Sequence, residues 1–183
     1  MSRLNVIDPQ QAEGRRKELL DAVQSKLGMT PNLVRVFANS PAVLQGYLGL
    51  ADSLGAGTLD AKLTEKIALA VAETNGCHYC TSAHTTVGKM VGLNRDEIID
   101  ARQGTSSDPR DDAALRFANN VTEKRGWVSD EDLADVRAAG FSDEEISQII
   151  AHVVLSIFRN YFNHIAETPI DFPEAEPLPI SAN

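Results

Sequence analysis

The chain lacks a surplus of positive charge. Its 17 lysines and arginines are outnumbered by 26 aspartates and glutamates, for a formal net charge of -9 at pH 7. Nucleic-acid binding needs a basic footprint, so no nucleic-acid partner is expected. The acidic residues are spread along the chain, as in a solvated coat rather than an acidic tail. Long apolar runs are also missing. The most apolar stretch, Ile146 to Phe158, is interrupted by Ser147, Gln148, His152 and Ser156 and is too short to span a bilayer. Met1 to Gln10 has no apolar core of an export signal. No membrane association is expected, and the expected location is cytoplasmic. Alternating strand patterns joined by hairpin turns are absent, as are phosphate-binding glycine loops and dinucleotide fingerprints. Cysteine is scarce, with two in 183 residues.

What is present reads as helix. Asp8-Pro9, Thr30-Pro31, Ser40-Pro41 and Asp108-Pro109 each place a capping side chain before a proline suited to the first helical position. Ser129 with Asp132, Asn94 with Glu97 and Ser142 with Glu145 have capping-box spacing. Gly28, Gly55, Gly92, Gly104, Gly126 and Gly140 fall where helices end on a left-handed residue. Between these marks apolar residues recur at three and four positions, as in Leu19, Leu20, Val23 and Leu27 or Ile146, Ile149, Ile150, Val153, Val154 and Ile157. The expectation is an all-α single domain over residues 1–183, a bundle of about nine helices. The proline-rich end, 168–183, is either an ordered arm or a frayed tail. Leu63 to His84 and Asp143 to His164 echo each other in pattern, as a duplicated helical hairpin would.

The two cysteines form one motif, Cys77-His78-Tyr79-Cys80, with His84 four residues on. Asn75-Gly76 signals a turn, so one helix should end near Thr74 and another begin at the cysteines. At about 100° per residue, positions 77, 80 and 84 then share an arc of roughly 60°. Thiols in the first turn of a helix lie where free backbone N–H groups favour a thiolate. A thiolate can attack the terminal oxygen of a peroxide to give a sulfenic acid, and a second thiol can condense with it to a disulfide. His84 suits the proton relay because imidazole titrates near neutral pH. With no third cysteine, regeneration needs an external dithiol or reductase. The same residues also offer three zinc ligands, with His78, Glu73 or Glu65 as a fourth, which would make a zinc-stabilised interaction protein without turnover. Glu65 and Glu73 are both candidates for an assisting carboxylate, and the residues by themselves do not choose.

The stretch Leu63-Thr64-Glu65-Lys66-Ile67-Ala68-Leu69-Ala70-Val71-Ala72-Glu73-Thr74-Asn75-Gly76-Cys77-His78-Tyr79-Cys80, followed by His84, resembles the core of the alkylhydroperoxidase AhpD-like, carboxymuconolactone decarboxylase superfamily. It is most similar to the peroxidase-related branch, with its core motif over residues 60–104. The resemblance implies an AhpD-like helical bundle, a homo-oligomer (dimer, trimer or hexamer), and a peroxide substrate reduced without metal or organic cofactor. It also implies that Cys80 attacks, Cys77 resolves, His84 relays protons and Glu65 serves as the relay glutamate. One departure stands out: AhpD places a histidine immediately before the second cysteine, where this chain has Tyr79 and carries His78 instead. A non-redox, decarboxylase-type activity is the alternative within the superfamily.

Histidines and aromatics outside the motif read as structural. His152 shares a stripe with Gln148, Ser156, Arg159 and Asn163, as on a polar face or a subunit contact. His164 reads as a hydrogen-bonded residue at the core edge, and Trp127 as a packing anchor. Phe158, Tyr161 and Phe162 read as core or interface.

Overall fold

The computed structural model describes residues 2–178, and these contain nine α-helices and no strand. They are α1 (Gly14–Leu27), α2 (Asn32–Phe37), α3 (Pro41–Gly55), α4 (Ala61–Thr74), α5 (His78–Met90), α6 (Arg95–Arg102), α7 (Pro109–Glu123), α8 (Asp130–Ala138) and α9 (Asp143–Ala166). None is long and apolar enough to cross a membrane.

The centre of the bundle is α4, because its sequence leaves it almost no polar face. Leu63 and every residue from Lys66 to Ala72 are buried, as expected of a helix surrounded by others. It packs against α5, α6, α7 and α9. Lys66 is the charged exception, with Asp111 at 2.8 Å and Glu97 at 3.9 Å.

Two apolar clusters flank α4. One joins it to α6, α7, α8 and α9 through residues such as Ile67, Ile98, Phe117, Val136 and Ile149. The other gathers α1, α2 and α3 around Phe37 and includes Cys77, Tyr79 and Cys80. The Phe37 ring lies 4.7 Å from Tyr47, 5.3 Å from Phe158 and 4.9 Å from Phe162, centroid to centroid. Burial of several aromatics on one ring anchors the α1–α3 layer to α9, and the thiols sit in that seam.

Local capping signals govern most helix ends. Ser40 and Asp108 cap α3 and α7 ahead of prolines, and all three capping boxes are reciprocal. Two proline signals differ. Asp8-Pro9 makes a turn, with the Asp8 carboxylate accepting from the Gln10 N–H at 2.9 Å. Thr30 does not cap α2. That helix starts one residue later, and the Asn32 N–H donates to Asp171 Oδ2 at 2.7 Å. Gly55 is the last residue of α3 rather than a left-handed stop.

The echo between residues 63–84 and 143–164 is not a duplication. The first is a hairpin broken at Gly76 (φ 64°), whereas α9 runs unbroken for 24 residues. Residues 168–178 form an arm lying on the body; residues 179–183 fall outside the described chain. Trp127 is 87% exposed and is no packing anchor, since the turn after α7 carries it outside the clusters. His164 is exposed on α9, and so is Tyr161, whereas Phe158 and Phe162 pack inward.

Candidate active site

The turn between α4 and α5 places the first cysteine at a helix entrance. The Cys77 N–H donates to Ala72 O at 2.8 Å, and Cys77 becomes the N-cap of α5. Its sulfur accepts from the Cys80 N–H at 3.4 Å, the bond a capping side chain makes. Both thiols are free and buried, at 1% and 2% exposure. Cys77 Sγ donates to Cys80 Sγ at 2.6 Å.

That bond makes the two thiols unequal. The hydrogen bond from Cys77, followed by the charges of His84 and Arg159 and a bond from Asn160, outweighs burial and lowers the Cys80 thiol to about 6. The Cys77 thiol is pushed up, first by its bond to Cys80 and then by burial. A thiolate on Cys80 with a neutral thiol on Cys77 is the favoured pair.

His84 lies one turn after Cys80, and its Nδ1 is 2.7 Å from Glu65 Oε2. Burial alone would raise the Glu65 carboxyl. The charge and hydrogen bond of His84, aided by Arg159 and His152, instead hold it below the usual carboxylate range. A carboxylate on Nδ1 fixes the ring and leaves Nε2 to exchange protons.

Cys80, His84, Glu65 and Arg159 are among the residues lining a cavity of about 410 Å³. Its other walls are mostly apolar, including Leu33, Val34, Tyr47, Val87, Met90 and Phe172. Cys80 reaches this cavity and Cys77 does not, so the lower-pKa thiol faces the ligand space and the other stands behind it.

The third wall is α9. Asn163 Nδ2 donates to Cys80 Sγ at 3.2 Å and lies 3.9 Å from Cys77 Sγ. Asn160 accepts from Asn75 Nδ2 at 2.8 Å, tying α9 to the α4–α5 turn. Arg159 Nη2 donates to Ser156 Oγ at 2.9 Å. The stripe read from the sequence as a polar face or a subunit contact turns inward at Ser156 and Asn163, which are 2% and 5% exposed, and Asn160 beside them is 1% exposed. Asn160 and Asn163 were missed as site residues. The available signal was a run of uncharged polar residues at helical spacing on an otherwise apolar helix. His152 is on the same stripe, its Nε2 buried without a protein partner and its pKa lowered, chiefly by burial and then by Arg159.

The remaining candidates point elsewhere. Glu73 pairs with Arg102 Nε at 2.9 Å, on the α6 side of the helix. His78 is exposed. The Tyr79 hydroxyl donates to Asp171 Oδ1 at 2.7 Å and accepts from the Leu33 N–H at 3.1 Å. Burial, then Asp171, raises its pKa while Leu33 opposes, so it remains a neutral phenol. Phe172 meets the Tyr79 ring edge-on at 5.8 Å, and the Ala175 N–H donates to Ser82 Oγ at 3.1 Å. These contacts seat the arm over the cavity. Among the described residues, no group of three or more histidine, cysteine or acidic side chains is placed to hold a metal ion. The hydrogen-bonded Cys77–Cys80 pair suits a redox-active disulfide rather than a cofactor site.

Residues 41–124 match the model of the carboxymuconolactone decarboxylase family. No curated protein matches the sequence. Among solved structures, the chain is similar to a peroxidase-related protein with an alkylhydroperoxidase AhpD core from Ralstonia eutropha JMP134, at 23% identity and TM-score 0.82, covering 93% of this chain and 92% of that one. It is also similar to the debrominase Bmp8, in a cysteine-to-alanine variant bound to 2,3,4-tribromopyrrole (21% identity, TM-score 0.78, 93% and 94% covered). A third is a peroxidase-related protein from Silicibacter sp. TM1040 (22%, TM-score 0.78, 92% and 94%).

Proposed function

We propose that this chain, whose residues 41–124 match the carboxymuconolactone decarboxylase family, is a thiol peroxidase of the AhpD-like superfamily acting on organic hydroperoxides or hydrogen peroxide. The observation that carries this reading is the placement of Cys80. It lines the cavity with His84 and Glu65, while Cys77, hydrogen-bonded to it, does not.

The Cys80 thiolate attacks the terminal oxygen of the peroxide. The O–O bond breaks, an S–O bond forms, and the departing alkoxide or hydroxide takes a proton from His84, held by Glu65. The Cys77 thiol then condenses with the Cys80 sulfenic acid, giving the disulfide and water. An external dithiol or reductase returns the two electrons. The size and apolar walls of the cavity favour organic hydroperoxides over hydrogen peroxide.

Peroxide-dependent thiol loss tests the reading. Wild type should lose both thiols and two mass units without gaining oxygen, and Cys80→Ser should lose the reaction. An unchanged rate in Cys80→Ser rules out the attacker.

A second reading draws support from the same apolar cavity and from the likeness to a debrominase. The dithiol could reduce a small aryl halide: Cys80 takes up the halogen, the ring carbon gains a proton, and Cys77 displaces halide to close the disulfide. Halide release from tribromopyrrole, without thiol oxidation by peroxide, would favour this reading over the first.

Self-association is part of the proposal. Ile150, Val154, Tyr161 and Ile165 form an exposed apolar stripe along α9, at 39–59% exposure. Sedimentation of wild type as a dimer or larger, and of Val154→Glu as a smaller species, is expected. Identical behaviour as monomers rejects it.

A further inference from the structure

Asn163 is a neutral amide buried at 5% exposure against the two sulfurs. Its Nδ2 donates to Cys80 Sγ at 3.2 Å, but its Oδ1 is buried with no hydrogen-bond partner. An orphaned buried carbonyl is disfavoured, and the great majority of such groups find partners. Here the donor half of the amide is engaged and the acceptor half stands unused beside the reacting atoms.

We propose that Asn163 is a catalytic residue that holds the Cys80 sulfur in two successive oxidation states. Its Nδ2–H stabilises the thiolate, and its Oδ1 accepts from the hydroxyl of the sulfenic acid once oxygen has been transferred. The inference rests on the reading of Cys80 as attacker. When the thiolate takes oxygen from a hydroperoxide, the O–O bond breaks and the alkoxide leaves with a proton from His84. The product Cys80–S–O–H then carries a donor that the thiolate lacked. Oδ1 meets that new donor without rearrangement of the helix. When Cys77 condenses with the sulfenic acid, the hydroxyl leaves as water and Oδ1 is free again.

Helix α9 keeps the amide in place. Asn160, one turn before it, is tied to Asn75 at 2.8 Å, so the helix cannot rotate without breaking that bond. The charged and titratable groups around Cys80 are Cys77 and His84 of α5, Glu65 of α4, Arg159 and His152 of α9, and Tyr79 with Asp171 beyond it. Asn163 adds an uncharged donor, so replacing it changes the thiolate without changing the charge of the site.

The test uses the full chain and two neutral variants, Asn163→Leu, nearly isosteric, and Asn163→Ala, favourable in a helix. The first readout is the pH midpoint of Cys80 alkylation by iodoacetamide, assigned by peptide mass. Both variants should raise it by about one unit or more, a tenfold loss of thiolate per unit. The second is the lifetime of the sulfenic acid in Cys77→Ser protein, where condensation is blocked. Adding Asn163→Ala should shorten it several-fold, with faster over-oxidation by cumene hydroperoxide. Midpoints unchanged in folded variants overturn the inference, even where Cys80 reacts with peroxide. Shifted midpoints with an unchanged sulfenic lifetime overturn its second half. If the midpoints shift but wild-type Cys80 does not react with any hydroperoxide, the peroxidase reading fails while the amide–thiolate contact stands.

Discussion

Glu65 Oε2 lies 2.7 Å from His84 Nδ1 across the α4–α5 hairpin. Eight residues further along the same helix, Glu73 turns to Arg102 at 2.9 Å. The two carboxylates differ in partner, not in chemistry, and so should differ in what their loss does.

Glu65→Gln keeps the shape but removes the charge that balances a protonated His84. Oxidation of Cys80 by peroxide should slow by about tenfold or more. Glu73→Gln should leave that rate within about twofold and lower stability by about 1 kcal/mol, since only a partly exposed ion pair is lost. Stopped-flow oxidation rates for the two variants check this. The reverse pattern would remove Glu65 from the relay.

The Cys80 thiol should ionise near pH 6 rather than near 9, with the bond from Cys77 as the largest cause. An acid whose pKa is lowered by folding is charged above its folded value. Alkylation of Cys80 should therefore be fast and flat above about pH 7 and fall tenfold per unit below about pH 6. The linked stability has the same sign: it is fully present above the unfolded thiol's pKa and lost as pH falls through about 6. A midpoint near 9 would show that the folded site does not favour the thiolate.

Cys77→Ser removes the resolving thiol but leaves Cys80 facing the cavity. One equivalent of peroxide should then add a single oxygen to Cys80, trapped as a sulfenic acid by dimedone, in place of the loss of two mass units. Because the Cys77 hydrogen bond is the leading cause of the lowered Cys80 pKa, serine should also keep part of that effect through its hydroxyl. Formation of an intramolecular disulfide is no longer open to this variant. Failure to capture oxygen on Cys80 would mean that Cys77 is the attacking thiol.

Lys66 is 5% exposed and depends on Asp111 at 2.8 Å, with Glu97 only at 3.9 Å. Asp111→Asn leaves the ammonium buried and poorly paired, at a loss of about 3 kcal/mol. For a chain of this size that is a fall in melting temperature of about 6–12 °C. A drop under 2 °C, by calorimetry, would mean that water reaches Lys66 in solution.

Asp171 joins the arm to both Tyr79 and the first N–H of α2. Asp171→Ala should free the arm and open the cavity mouth. Hydrogen exchange at the Asn32 amide should rise at least tenfold, and residues 168–178 should become sensitive to protease. Unchanged exchange would show that the remaining arm contacts, such as Asn32 Nδ2 to Pro169 O at 3.1 Å, suffice.

Nine helices, their capping boxes and the turn that delivers the cysteines to the start of α5 were legible from the residues alone. The reason is range: a capping box or an Asn-Gly turn is decided by side chains within four positions of the backbone they satisfy. The thiol pair and His84 were legible for the same reason. What only the tertiary structure decided lies at long range. Asp171 caps a helix 139 residues earlier, where Thr30 had the local credentials. Glu65 and Glu73 share one helix, and only the packing of α5 and α6 on either side assigns one to His84 and the other to Arg102. A polar stripe on α9 looks the same in sequence whether it faces water or sulfur; packing against α4 and α5 turned Asn160 and Asn163 toward the thiols.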